Sequence, residues 1–130
     1  MFAHYNLRTP LGRARGLGSA TEGLHHWWAQ RLTALALIPL TVWFVAAVVG
    51  LAGSDYEQFV NWLSTPYNAS AMILFLGVSF HHAQLGMQVV IEDYVGNHGW
   101  RIGTIVVVKF ICCGLGALGI VSTLIVTFGV

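Results

Sequence analysis

The sequence predicts an all-α membrane protein with three transmembrane helices, plus a short interfacial helix between the first and second. Three observations predict it. Hydrophobic residues make up 56% of the 130 residues and charged residues only 8%, where a soluble domain carries about a quarter charged side chains. Three apolar stretches, 32–52, 69–91 and 102–130, each exceed or approach the roughly 20 residues needed to cross a hydrocarbon core about 30 Å thick. The loop between the first two stretches shows apolar residues at helical rather than random spacing.

In chain order, the N-terminal segment 1–26 mixes Gly, Pro and Arg and is predicted to run irregularly along the membrane surface. It lacks the apolar core and small-residue cleavage site of a signal peptide. The first span, 27–52, opens at His25-His26-Trp27-Trp28, where paired indole rings suit the headgroup layer. Pro39 inside it is tolerated because neighbouring helices satisfy the carbonyl that it frees. In the following loop Tyr56, Phe59, Val60 and Leu63 fall at i, i+3, i+4 and i+7, one face of a short helix lying in the interface. Thr65-Pro66 ends that helix. The second span, 69–93, and the third, 101–129, complete a single membrane domain. Cys112, Gly116, Gly119, Thr123 and Thr127 run along the third span, mostly four apart, which predicts close approach of another helix. Three such spans make a thin sheet, so a second membrane subunit is expected beside this one.

Charge sets the orientation. Arg8, Arg13, Arg15 and Arg31 precede or open the first span, the loop 53–68 holds Asp55 and Glu57 but no Lys or Arg, and Arg101 follows the second span. The positive-inside bias therefore predicts a cytoplasmic N-terminus and an external C-terminus. A formal net charge of +1 gives no basis for nucleic-acid binding. The adjacent Cys112 and Cys113 imply neither a disulfide framework nor a metal motif. Lys109, about 12 Å along the helix from Arg101 at helical rise, either snorkels to the headgroups or pairs with an acid of a partner.

The second span carries the chemistry. Its stretch HHAQLGMQVVIEDYV, 81–95, puts two histidines at mid-span, where an ionisable group is costly and persists mainly when a partner or cavity uses it. At 100° per residue, Gly86, Val89 and Asp93 return to within roughly 40° of the direction of His82. Leu85, Gln88 and Glu92 do so for His81. Two readings of His82 stand side by side: a hydrogen-bonded packing residue between helices, or an axial ligand of a b-type haem admitted by the gap at Gly86. The second requires another axial ligand from a different chain, because His25 and His26 lie at the interface. Asp93, about 16 Å along the axis from His82, and Tyr94 sit at the rim. There they either end a helix within an aromatic belt or serve a ligand carbonyl with a hydrogen bond and protons.

Residues 82–95, HAQLGMQVVIEDYV, resemble the His-Ala-x-x-Gly-Met-x-x-Val-x-x-Asp-Tyr-Val signature of the hydrophobic membrane anchors of succinate dehydrogenase, respiratory complex II. Residues 23–37, GLHHWWAQRLTALAL, resemble the same family's entry into its first span, and RTPLGRARGLGSATEG resembles its alphaproteobacterial and mitochondrial-like branch. The resemblance implies that His82 ligates haem b jointly with the cytochrome b membrane subunit, with Gly86 beside it. It also implies that His25 and Arg31 lie near the haem propionates or the quinone pocket, and that Tyr94 hydrogen-bonds ubiquinone with Asp93 adjacent. An Arg suits a propionate because its planar fork binds a carboxylate through two hydrogen bonds. The implied assembly adds an iron-sulfur subunit and a flavoprotein subunit in the bacterial inner membrane, in contact with membrane lipid. Its reaction is succinate oxidation coupled to ubiquinone reduction in the tricarboxylic acid cycle and respiratory chain. This chain itself holds neither the flavin nor the clusters, for it has no dinucleotide-binding glycine pattern and no cysteine ligand set. A quinol:fumarate reductase anchor, or a small non-redox membrane helper or transporter subunit, are the alternative readings.

Overall fold

The computed structural model describes residues 10–11 and 21–129. Arg8, Arg13 and Arg15, and with them most of the orientation signal, lie outside the described residues. Four helices follow one another: α1, Thr21–Gly50; α2, Tyr56–Leu63; α3, Pro66–Tyr94; and α4, His98–Phe128. The long helices have 30, 29 and 31 residues, about 45 Å each at 1.5 Å per residue. All three are long and apolar enough to cross a membrane.

The helices overrun the apolar spans at most of their ends. α1 already begins at Thr21, so residues 21–26, expected within the irregular N-terminal segment, are its first turns. Hydrophobicity marks the depth of lipid, whereas a helix stops where its backbone bonding is interrupted, and these are different limits. α1 also continues through Pro39 without a break.

Local chemistry fixes the corners. After α1, Gly53 takes a left-handed φ of 85°, a conformation that costs glycine nothing. Asp55 then caps α2, its carboxylate accepting from the Gln58 N–H at 2.8 Å. Leu63 is buried and Phe59 and Val60 are half-buried, while Tyr56 faces outward, so three of the four residues of the expected apolar face turn inward. Trp62 stacks on Trp43 of α1 with centroids 5.9 Å apart. Pro66 occupies the first turn of α3, where its missing N–H is not needed. Asn68 Nδ2 ties the corner by donating to Trp62 O at 2.8 Å. At the other end Asn97 caps α4 through Gly99 N and Trp100 N, at 3.0 and 3.3 Å. The turn before it is closed by Arg101, whose Nε donates to Val95 O at 2.9 Å and whose Nη2 reaches Gly96 O at 3.4 Å.

The long helices form a single layer. α3 packs against both α1 and α4. Phe44 and Phe75 stack across the first seam, centroids 4.5 Å apart. The second seam explains the small-residue stripe of α4. A Cβ at Gly116 would stand 3.4 Å from Phe80 Cβ, and one at Gly119 only 3.2 Å from Leu76 Cδ1, while Thr123 is buried and turns its hydroxyl to Gly119 O at 2.9 Å. The helix received by this stripe is therefore α3 of the same chain. Without a hydrophobic drive between helices in lipid, such close fit is what holds them together. Gly116→Leu is accordingly expected to cost about 1–3 kcal/mol by overpacking, read as a lower midpoint in denaturation of the detergent-solubilised protein.

The outer faces of this layer are bare. Val42 and Val49 of α1 are 67% and 69% exposed and Phe110 of α4 is 75% exposed, while only Leu63, Ala69, Leu85 and Ile91 are buried apolar residues among those described. Lipid or another membrane chain can cover such faces without penalty.

Candidate functional site

Adjacent histidines on a helix point about 100° apart, and in α3 this sends them into two different grooves. His82 lines the smaller, about 390 Å³, with Ala34, Leu37, Ile38, Thr41 and Val42 of α1. His81 is exposed and lines the larger, about 530 Å³, between α3 and α4, together with Gln84, Lys109 and Cys112. Both grooves are open, and the surroundings of the two rings differ. No described side chain hydrogen-bonds His81, whereas the half-buried His82 has its Nδ1 2.9 Å from Thr33 Oγ1 on α1.

The α1–α3 seam carries more polarity than the apolar character of both spans suggests. His26, Gln30 and Thr33 follow at i, i+4 and i+7, one helical face, and this face meets α3. Gln30 Nε2 lies 3.7 Å from the position of a Cβ on Gly86. That is ordinary van der Waals distance, so the Gln30 amide borders the gap at Gly86. His26 Nε2 and Gln30 Oε1 are buried without a hydrogen-bond partner, an arrangement that costs free energy unless water or a ligand completes it.

The remaining predicted residues separate by face. Arg31 is exposed and its guanidinium sits 5.6 Å from the Trp27 ring centroid. Counting three and seven residues onward reaches Ala34 and Ile38, so Arg31 stands on the same face of α1 as the His82 groove, nearer the α1 start. His25 is exposed about 120° round the helix from Arg31, and is not brought to that groove. Asp93 and Tyr94 end α3, both exposed, Tyr94 at 86%. They lie at the same end of the layer as the start of α1, next to the turn that Arg101 closes. Gln88, between the two regions, donates to Glu92 at 2.8 Å.

Thr33 and Gln30 are site residues that no motif in the sequence singles out. The available signal is the spacing of polar residues through His26, Gln30 and Thr33, which marks an inward polar stripe on an otherwise apolar helix.

Similarity to known proteins identifies the family. The family model described as the succinate dehydrogenase/fumarate reductase transmembrane subunit matches residues 5–118. The succinate dehydrogenase hydrophobic membrane anchor subunit of Rickettsia conorii is 35% identical over 109 residues, 83% of this chain and 86% of the relative. Its counterpart in Rickettsia bellii is 36% identical over 105 residues, 81% and 84% of the two chains. The protein of the same name in Paracoccus denitrificans is 33% identical over 122 residues, 85% and 95% of the two. With three membrane-crossing helices and a match that covers most of its length, the chain belongs to the family of succinate dehydrogenase and fumarate reductase transmembrane subunits.

Proposed function

We propose that this chain is the anchor of a succinate:ubiquinone oxidoreductase, that it holds one axial position of a haem b through His82, and that it builds part of a ubiquinone site with Tyr94 and Asp93. The observation that carries the haem assignment is the half-buried His82 ring lining a groove whose other walls are mostly aliphatic. Such walls suit the face of a macrocycle, and an imidazole nitrogen is a strong axial ligand. Arg31, on the same face of α1, would meet a propionate. The residues present fit the group. When bound, the haem supplies a one-electron carrier within the membrane.

The second axial ligand would come from the cytochrome b subunit, on the bare face of the helical layer. At the rim, the Tyr94 phenol donates a hydrogen bond to a quinone carbonyl and the Asp93 carboxyl group beside it relays protons. Reduction of ubiquinone takes two electrons, delivered from the flavoprotein through the iron-sulfur subunit, and two protons from the cytoplasmic side. In this reading the α1 start, Tyr94 and Arg101 face the cytoplasm of a bacterial cell, and the α2 end faces the periplasm.

Purification through a tag on this chain tests the whole reading. The expected result is co-purification of a flavoprotein, an iron-sulfur protein and a second membrane protein, a b-type reduced-minus-oxidised spectrum, and succinate-dependent ubiquinone reduction. A preparation containing all four chains but no haem band would remove His82 from its proposed role.

A further inference from the structure

The hydroxyl of Thr33 lies 2.7 Å from Ala29 O, 3.1 Å from Gln30 O and 2.9 Å from His82 Nδ1. It has one hydrogen to give. Both carbonyls can only accept, and the Ala29 carbonyl, one turn back, is the usual acceptor of a helical threonine. If the hydroxyl pointed instead at Nδ1, its oxygen would face two carbonyl oxygens with no proton between them. The favourable arrangement sends the Thr33 hydrogen to the Ala29 carbonyl and turns a lone pair toward His82. Nδ1 must then carry the hydrogen and donate it to Oγ1. In a neutral ring this leaves the lone pair on Nε2, which has no hydrogen bond among the described residues.

We infer that Thr33 is the positioning residue of His82, accepting the Nδ1 hydrogen, selecting the tautomer whose Nε2 is free to bind iron, and fixing the plane of the ring across the α1–α3 seam. This inference rests on the haem reading of His82. A hydrogen bond from the far nitrogen of a ligating imidazole raises its basicity and orients it, and a more basic axial ligand favours the ferric state. Thr33 is well placed for the task because its own helix holds it still: the hydroxyl is tied to the backbone of α1, so the ring is aligned to a rigid element rather than to a mobile side chain.

The experiment compares Thr33→Val, Thr33→Ser and His82→Leu in the intact complex. Haem content per flavin, the haem midpoint potential from redox titration, and the low-spin ferric electron paramagnetic resonance signal are read in each. Thr33→Val keeps the shape and deletes the acceptor. It is expected to weaken haem retention about 10–100-fold and to move the midpoint potential upward, with an altered ferric signal. Thr33→Ser, which restores the hydroxyl, is expected to return all three toward the parent. Should Thr33→Val fail to assemble, Thr33→Ala replaces it with the same expectations. A valine or alanine variant with the parent's potential and ferric signal would overturn the role of Thr33, as would a serine variant no different from valine. Loss of the haem signal in His82→Leu beside an unaltered Thr33→Val would overturn the Thr33 inference alone, while a parent-like His82→Leu would overturn the haem reading beneath it.

Discussion

His82→Leu is expected to abolish the b-type haem signal of the assembled complex, while His81→Leu leaves it largely intact. The two residues are neighbours in sequence with the same side chain, so composition, depth and synthesis are matched between the variants. Only direction differs. His82 faces α1 and the groove lined by Leu37 and Ile38, and His81 faces α4 and the groove holding Gln84 and Lys109. Leucine is close to histidine in bulk and is at home in lipid, so each substitution removes an imidazole without opening a large void. At position 82 it also strips Thr33 of its partner, but the threonine hydroxyl remains bonded to Ala29 O at 2.7 Å, which limits the structural damage. The measurement is a reduced-minus-oxidised spectrum normalised to flavin. Equal spectra from the two variants would mean that the ring at 82 is a packing residue.

Tyr94→Phe is expected to lower succinate-to-ubiquinone turnover by about 10²–10⁴-fold if the phenol takes part in proton transfer, with succinate oxidation by a flavin-level artificial acceptor nearly unchanged. The phenol is 86% exposed at the end of α3, far more than an aromatic residue packed in a core. Its surroundings are nonetheless fixed, because the turn that follows is tied by Arg101 to the Val95 and Gly96 carbonyls. An exposed phenol on a stiff helix end is suited to meet a ligand that another subunit encloses. Phenylalanine keeps the ring and deletes only the hydroxyl, so an effect on quinone reduction alone isolates the hydrogen bond. If ubiquinone turnover is unaffected, Tyr94 returns to the aromatic belt at the membrane surface.

Much of this arrangement is legible in the sequence. Apolar runs of about 20 residues or more identify the three long helices, and the spacing of Phe59, Val60 and Leu63 identifies α2. The angular difference between His81 and His82 follows from helical geometry alone. What the sequence does not disclose depends on how helices meet. Gly86 looks like an opening because glycine lacks a side chain, but only the neighbouring helix determines what borders that space, and here it is the Gln30 amide. The stripe through Gly116 and Gly119 signals close approach correctly, yet a stripe names no partner, and the partner is α3. Thr33 escapes notice because threonine in a membrane helix usually bonds its own backbone, and its second role exists only once α1 and α3 are brought side by side. Helix ends differ from the apolar limits as well, since lipid thickness and backbone continuity obey different rules.

Arg101 joins two duties that are usually separate. As the cation flanking a span it counts toward the direction in which the chain inserts, and as a forked donor it latches the turn between α3 and α4. A lysine there would preserve the vote on insertion but, being a point donor on a flexible stem, would not reproduce the two-armed latch. Guanidinium shape therefore matters at this position as well as sign, and exchanging one cation for the other, harmless to topology, would here slacken the corner that joins two membrane-crossing helices.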